Sequence, residues 1–361
     1  MTSKKILLTL SLGALFVALV SCLCAQKKVT RKAVVLEVVG LSDRLWTGVA
    51  VSQKGRIFVN YPRWSPQVPF SVGELVSKSE VKPFPDQDMN EWQPALDPKD
   101  HFICVQSVYV DGENYLWILD AANPLFQGVI KNGPKLLKID LQTDQVVQKL
   151  IFKDTIVSPN SYLNDVRVDP KRQFAYITDS GLGALVVVNL KTGVCRRVLT
   201  DHASTKSENT TVVINNRPWL LPDGSNPQIH ADGIALNSEG TYLYYQALTG
   251  RTLYRIRTEF LRTESGKVED LASKVEKIEQ TGVADGLLWG LDDCVYLSAL
   301  ETSEIKRLTP AGKVETVVQD QRLAWPDSFS QGADGSIYVS TSQIHLAAEI
   351  NEPFRIFRFQ P

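Results

Sequence analysis

SYLNDVRVDPKRQFAYITDSG, residues Ser161 to Gly181, reads as one hairpin. Asn164 and Asp165 form a polar entrance, and Val166 and Val168 then alternate with Arg167 and Asp169. Pro170-Lys171-Arg172-Gln173 supplies a polar turn. A second β-rich run, Phe174 to Thr178, ends on Asp179-Ser180-Gly181. Alternation, turn and alternation is the pattern of two antiparallel strands with one buried face.

The same phrase recurs along the chain. It appears at Thr47–Val51 with a turn at Lys54-Gly55 and a second run Ile57-Phe58-Val59. It appears again at Gln106–Val110, turning at Asp111-Gly112 into Leu116–Leu119. Beyond the opening stretch it returns at Ala231–Leu236, Ala284–Trp289 and Pro326–Phe329, each followed by an aromatic or β-branched run. Six copies, spaced roughly 40 to 70 residues apart, each leave room for four short strands. Four-stranded units repeated about an axis make a β-propeller. The predicted fold is therefore all-β, a six-bladed propeller spanning residues 33–361; an irregular β-sandwich is the competing arrangement.

Charge and cysteine content narrow the function classes. Lys+Arg 39 against Asp+Glu 40 gives a net charge of −1, so there is no basic excess for a nucleic-acid partner. The 22% charged and 43% hydrophobic residues place the chain among ordinary globular proteins. Residues 1–25 differ. Lys4 and Lys5 precede an apolar run from Ile6 to Val20, the form of a secretory signal that is too short for a comfortable membrane span. The run ends Leu19-Val20-Ser21-Cys22, similar to a bacterial lipobox. Lipidation at Cys22, ordinary cleavage near Ala25-Gln26 and an uncleaved anchor are the three open outcomes. All three place the mature protein outside the cytoplasm, either secreted or, for a bacterium, periplasmic or held to the outer membrane by lipid. Cys104, Cys195 and Cys294 remain in the body; with no Cys-x-x-Cys or Cys/His metal spacing, they read as core thiols.

The two ends suit ring closure. Ala33–Val39 and Phe354–Phe359 are both strand-like, and pairing them in one blade would remove exposed edges. Pro62–Pro98 is too rich in proline for central strand, and reads as an ordered cover loop holding one or two strands such as Glu74-Leu75-Val76. Asp201–Gln228 is a second long polar loop. Thr258–Thr263 and Val268–Lys277 are the helical candidates.

Several phrases together carry a resemblance. Gly48-Val-Ala-Val, Gly55-Arg-Ile-Phe-Val-Asn-Tyr-Pro-Arg-Trp64, Val105-Gln-Ser-Val-Tyr-Val-Asp111, Asn164-Asp-Val-Arg-Val-Asp169, His230-Ala-Asp-Gly-Ile-Ala-Leu236 and Trp325-Pro-Asp-Ser-Phe329 resemble the Yellow/major royal jelly protein family, in order, from about Gly40 to the end. The resemblance implies a secreted six-bladed propeller, and the amino terminus suits a bacterial member. The wider superfamily includes gluconolactonase and senescence-marker-like lactonases, which hold a divalent metal, commonly Ca²⁺, on the propeller axis. By blade order the resemblance puts Asn164, Asp232 and Asp285 at comparable places. In blade one those lactonases use a Glu, where this chain has Trp46-Thr47-Gly48.

In a propeller the innermost strand of each blade starts at the central channel. That places Gln106, Asn164, Asp232, Asp285 and Asp327 in one axial ring, with His230 nearby. Converging carboxylates repel, and either a hard cation or raised pKa values would relieve them. The same residue types before glycine also serve as plain turn and strand-end residues. His230 and Asp232 are the candidate general acid–base pair, although a packed histidine is equally compatible with the sequence. No G-x-S-x-G, Walker loop or dinucleotide fingerprint is present. Trp117, Trp289, Trp325 and Tyr176 read as blade core. Two function classes follow: a polar funnel binding a small molecule, as some Yellow-family members bind amines, or an enzyme at the same funnel, a metal-dependent lactonase-like hydrolase or a dopachrome-type isomerase.

Overall fold

A computed structural model describes residues 33–263 and 271–361. The stretch read from sequence as an export signal, with Cys22, lies outside the described residues, as do the first positions of the 268–277 helical candidate. The hairpin that opened the sequence reading is the inner half of a four-stranded antiparallel sheet. Leu163–Asp169 pairs with Phe174–Asp179, then Ala184–Asn189, then Cys195–Val198. This is blade three.

The other copies behave alike. Blade one begins at Val49–Val51, blade two at Val105–Val110, blade four at Ala231–Leu236, blade five at Ala284–Trp289 and blade six at Pro326–Gln331. Each of these six innermost strands packs against its counterpart in the next blade, and blade six returns to blade one, so the sheets form a closed ring. The chain is a six-bladed β-propeller, as its repeats predict. The turn glycines Gly55 and Gly335 take positive φ, 78° and 80°, which is why glycine recurs at these turns.

The core is distributed between blades. Trp117 and Leu119 of blade two meet Val166, Val168 and Ile177 of blade three. Tyr176 and Leu185 of blade three meet Ile234 and Tyr245 of blade four. Burying a large apolar side chain contributes about 1.5–3 kcal/mol, and a sheet closed into a ring buries both faces of every blade. Cys104 and Cys294 are buried and Cys195 partly so, and all three are free thiols.

Both termini meet in blade six. Glu37–Ser42 pairs antiparallel with Phe354–Phe359 and becomes that blade's outermost strand. The expected partners are right, with the amino-terminal strand shifted a few residues beyond Ala33–Val39.

The Pro-rich stretch holds two strands, as expected: Val72–Ser77, which contains Glu74-Leu75-Val76, and Glu80–Pro83 are the outer two strands of blade one, and the rest is mainly loop and turn. Pro83 is tolerated because an edge strand does not need its N–H. The stretch is pinned from inside by buried Asn90. Its Oδ1 accepts from the backbone N–H groups of Ser71 and Val72, both at 2.9 Å, and its Nδ2 donates to Phe84 O and Asp86 O, also at 2.9 Å. The Asp201–Gln228 loop carries its own two-stranded hairpin, Val212–Ile214 with Arg217–Trp219. Thr258–Arg262 is a single helical turn, as expected. In the second helical candidate, Leu271–Lys274 is a 3-10 turn, and Glu276–Gln280 is instead the edge strand of blade four.

Candidate functional site

The ring residues sit on irregular backbone. Pairing between the first two strands slips at one place in blades two to six. It slips between Val105 and Ser107, Leu163 and Val166, Ala231 and Ile234, Ala284 and Leu287, and Pro326 and Phe329. These are the positions of Gln106, Asn164, Asp232, Asp285 and Asp327. A bulge leaves its residue unpaired and redirects the side chain, and bulges concentrate beside functional sites.

The bulges of neighbouring blades interlock. A Cβ at Gly233 would overlap the carbonyl oxygen of Asp285, and one at Gly286 would overlap that of Asp327. The glycines after Asp232 and Asp285 are therefore required by the approach of the next blade. Hydroxyls on the second strands complete the joint. Thr178 Oγ1 accepts from Asp165 N at 3.1 Å and donates to Asp232 O at 2.6 Å, linking blades three and four. Ser340 Oγ accepts from Ser328 N at 3.1 Å and donates to Thr47 O, linking blades six and one.

The carboxyl groups are almost sealed, with Asp232 4%, Asp327 5% and Asp285 7% exposed. Asn164 Nδ2 donates to Asp232 Oδ1. Trp325 Nε1 donates to Asp285 Oδ2 at 2.7 Å. Asp232 and Asp285 act directly on one another, an arrangement that favours a proton shared between them. Burial is the main cause that pushes all three acids up. Asp285 rises to about 7, and Asp232 and Asp327 go well above the usual carboxylate range, each pushed further by neighbouring carboxylates. Asp327 also accepts from Ser328 Oγ at 3.1 Å.

Below them Asp165 accepts from Ser107 Oγ at 3.0 Å and lies 3.9 Å from Arg167 Nη2. Arg167 reaches across the axis from blade three and donates to Leu287 O of blade five at 2.9 Å, and to Val166 O at 2.7 Å.

Gln106 and His230 lie apart from this acid network in their contacts. Gln106 Oε1 accepts from Tyr162 Oη at 2.9 Å, and Tyr162 Oη accepts from Trp64 Nε1 at 2.5 Å. His230 Nδ1 accepts from Ser207 N at 3.0 Å. Burial, and then Lys206, hold its imidazole below its ordinary range; Asp179 and Asp201 are the acids whose charge acts on it. Neither Asp232 nor Asp285 is among its partners.

Trp325 corrects the sequence reading most sharply, since it is a donor to the acid network as well as core. Asp165 and Arg167 were also missed as site residues, although both stand in the opening stretch. Adjacency of Trp325 and Asp327 in sequence gives no hint that the indole serves Asp285, one blade away.

The donor set bears on the Ca²⁺ expectation. Asn164, Asp232 and Asp285 are oxygen-bearing residues of the right chemistry for a hard cation. As arranged they do not fit a resident metal. Among the described residues no three of His, Cys, Asp and Glu are grouped to hold one. Asn164 turns its amide N–H toward Asp232, and Trp325 occupies one oxygen of Asp285. In blade one Thr47 Oγ1 accepts from Asn60 Nδ2 at 2.8 Å, so no carboxylate enters there.

Comparison with known proteins places the chain. Residues 103–360 match the Major royal jelly protein family. Major royal jelly protein 5 of Apis mellifera is 24% identical over 231 residues, 59% of this chain and 36% of that relative, so the match spans about a third of the relative's length. Solved structures share the fold at low identity. Regucalcin from Agrobacterium tumefaciens, described as a calcium-binding protein, superposes with TM-score 0.53 at 13% identity, covering 91% of this chain and 95% of its own. A gluconolactonase from Xanthomonas campestris gives TM-score 0.50 at 11% identity, covering 91% and 89%. The family match covers most of the ring, and the chain belongs to the Major royal jelly protein family.

Proposed function

We propose that this protein is an exported propeller whose axial acids capture a small molecule bearing a basic nitrogen. The observation that carries the reading is the trio Asp232, Asp285 and Asp327. Three carboxyl groups are buried together, and no lysine or arginine pairs with any of them among the described residues. A cationic ligand would displace the proton held between Asp232 and Asp285 and supply the missing counter-charge. Asn164 and Trp325 would hold the two carboxylates in place while this happens. Export rests on the form of residues 1–25, and the partner is a small molecule.

A second reading is favoured by the regucalcin and gluconolactonase likeness: Ca²⁺ at the same acids, serving a lactonase-like hydrolysis. It requires Asn164 to present its oxygen instead of its amide hydrogens, and Asp232 and Asp285 to give up their shared proton.

Calorimetric titration of the mature protein with benzylamine and separately with CaCl₂ distinguishes the two. Benzylamine binding with proton release, weakened at least about tenfold in Asp285→Asn, is the expected result. Binding of CaCl₂ alone, lost in Asp232→Asn, would establish the second reading in place of the first. Binding of neither would overturn both.

A further inference from the structure

The propeller has a second end. The carboxyl-terminal halves of the innermost strands surround a cavity of about 740 Å³, to which all six blades contribute. That is the size of a small-molecule site. Val49, Tyr109, Leu288 and Phe329 form apolar walls, and Arg167 lines its inner end. Arg167 is 7% exposed, and along its strand Asp165 stands between it and Asn164, the residue that bonds Asp232.

The guanidinium is under-used. It spends one N–H on Val166 O and one on Leu287 O, and Asp165 at 3.9 Å is beyond hydrogen-bond reach. The Tyr109 ring lies 5.1 Å from its centre. Its two hydrogen bonds are made through Nη1 and Nη2, and its Nε makes none among the described residues. A charged group so placed, with free donors at the inner end of an apolar-walled cavity, is a carboxylate receptor: a planar fork matched to two oxygens. Five further carboxylates line the cavity: Asp111 and Asp169 are held by Trp117 Nε1 and Arg172, while Glu113, Glu239 and Asp293, with Lys171 as the other cation, add negative charge that disfavours anions of high charge.

We propose that this end of the axis is a separate binding site for a small organic monocarboxylate, its carboxylate on Arg167 and its apolar body against Tyr109, Leu288 and Phe329. The site is independent of the acid trio, and the Arg167–Asp165 pair stands between the two.

The test uses sodium benzoate as probe, with benzamide as its uncharged counterpart, in calorimetric titrations of the mature protein. Benzoate should bind, benzamide at least about tenfold more weakly, and Arg167→Met should lose benzoate to a similar degree. Arg358→Ala, which removes a surface cation elsewhere, should leave benzoate binding unchanged. No benzoate binding to the wild type, equal affinity for benzamide, or full binding by a folded Arg167→Met would overturn the proposal. Hydrogen exchange on the wild type decides independently of that variant's folding. Benzoate should slow exchange in the turns at 111–114 and 237–240; slowing confined to the loops at 123–128 and 344–349 would put the ligand elsewhere and sink the idea.

Discussion

Five of the eight aspartates buried among the described residues occupy two kinds of place in this propeller, and their partners set them apart. Asp120 and Asp179 end the second strands of blades two and three, each with 0% exposure. Asp120 accepts from the N–H groups of Ile103, Cys104 and Ala122, and from Lys135 Nζ at 2.8 Å. Asp179 accepts from Tyr162 N at 2.9 Å and from Arg197 Nη1 at 2.6 Å. Asp232, Asp285 and Asp327 are nearly as buried, yet among the described residues their donors are neutral: Asn164, Trp325 and Ser328. Burial alone therefore says nothing about role. A paired acid with a full set of donors is a fastening. An acid left without a cation is held at a cost to the fold, and such groups gather where a protein binds or reacts.

The comparison breaks first at Asp120. Asp120→Asn strips the counter-charge from Lys135, which is 1% exposed, and should destabilise the fold by about 3–5 kcal/mol. Urea unfolding measures this; a loss under about 1 kcal/mol would show that Lys135 tolerates isolation and that the two classes of acid are not distinct.

The opposite sign is expected on the axis. Asp285 has a folded pKa near 7, above its unfolded value, so its favourable contribution is complete below the unfolded pKa and is lost as pH rises towards 7. Asp285→Asn removes that loss. It should leave stability near pH 4 almost unchanged and raise it at pH 8 by roughly 2–4 kcal/mol. Equal effects at both pH values would mean that the acid does not titrate in this window.

The smallest of these effects belongs to Trp325→Phe. The indole N–H is the donor that lowers the Asp285 pKa, so its loss should push the pH-dependent fall in stability above 7, with about 1 kcal/mol lost at pH 8. An unchanged pH profile would make Trp325 core alone, as its sequence suggests.

Much of the ring was legible because the chain repeats it. A small or polar residue before a short apolar run, six times over, marks blade number, strand order and the positions of Asn164, Asp232, Asp285 and Asp327. What the repeats conceal is contact between copies. Trp325 serves Asp285, Ser107 serves Asp165 and Arg167 reaches Leu287, each pairing one blade with another. Such pairings depend on the closing angle of the ring, which leaves no spacing rule in sequence. The Pro62–Pro98 stretch was legible for a local reason: proline is excluded only from strands that need its N–H, so the two strands it holds are outer ones, the last ending at Pro83.

The seam in blade six has a consequence for how the molecule is made. Val38 lies against Phe357, and Glu37 bonds to Arg358 across a separation of 321 residues. Until Phe354–Phe359 has been synthesised, the strand at Glu37–Ser42 has no partner and blade six lacks two of its strands. Contacts this distant in sequence form slowly, because a large loop must close before they stabilise anything. A ribosome-bound chain can complete blades one to five in order, but the circle waits for its final strand. A stop codon placed before Phe354 would leave an open arc with two raw sheet edges, a species suited to sticking to its own copies.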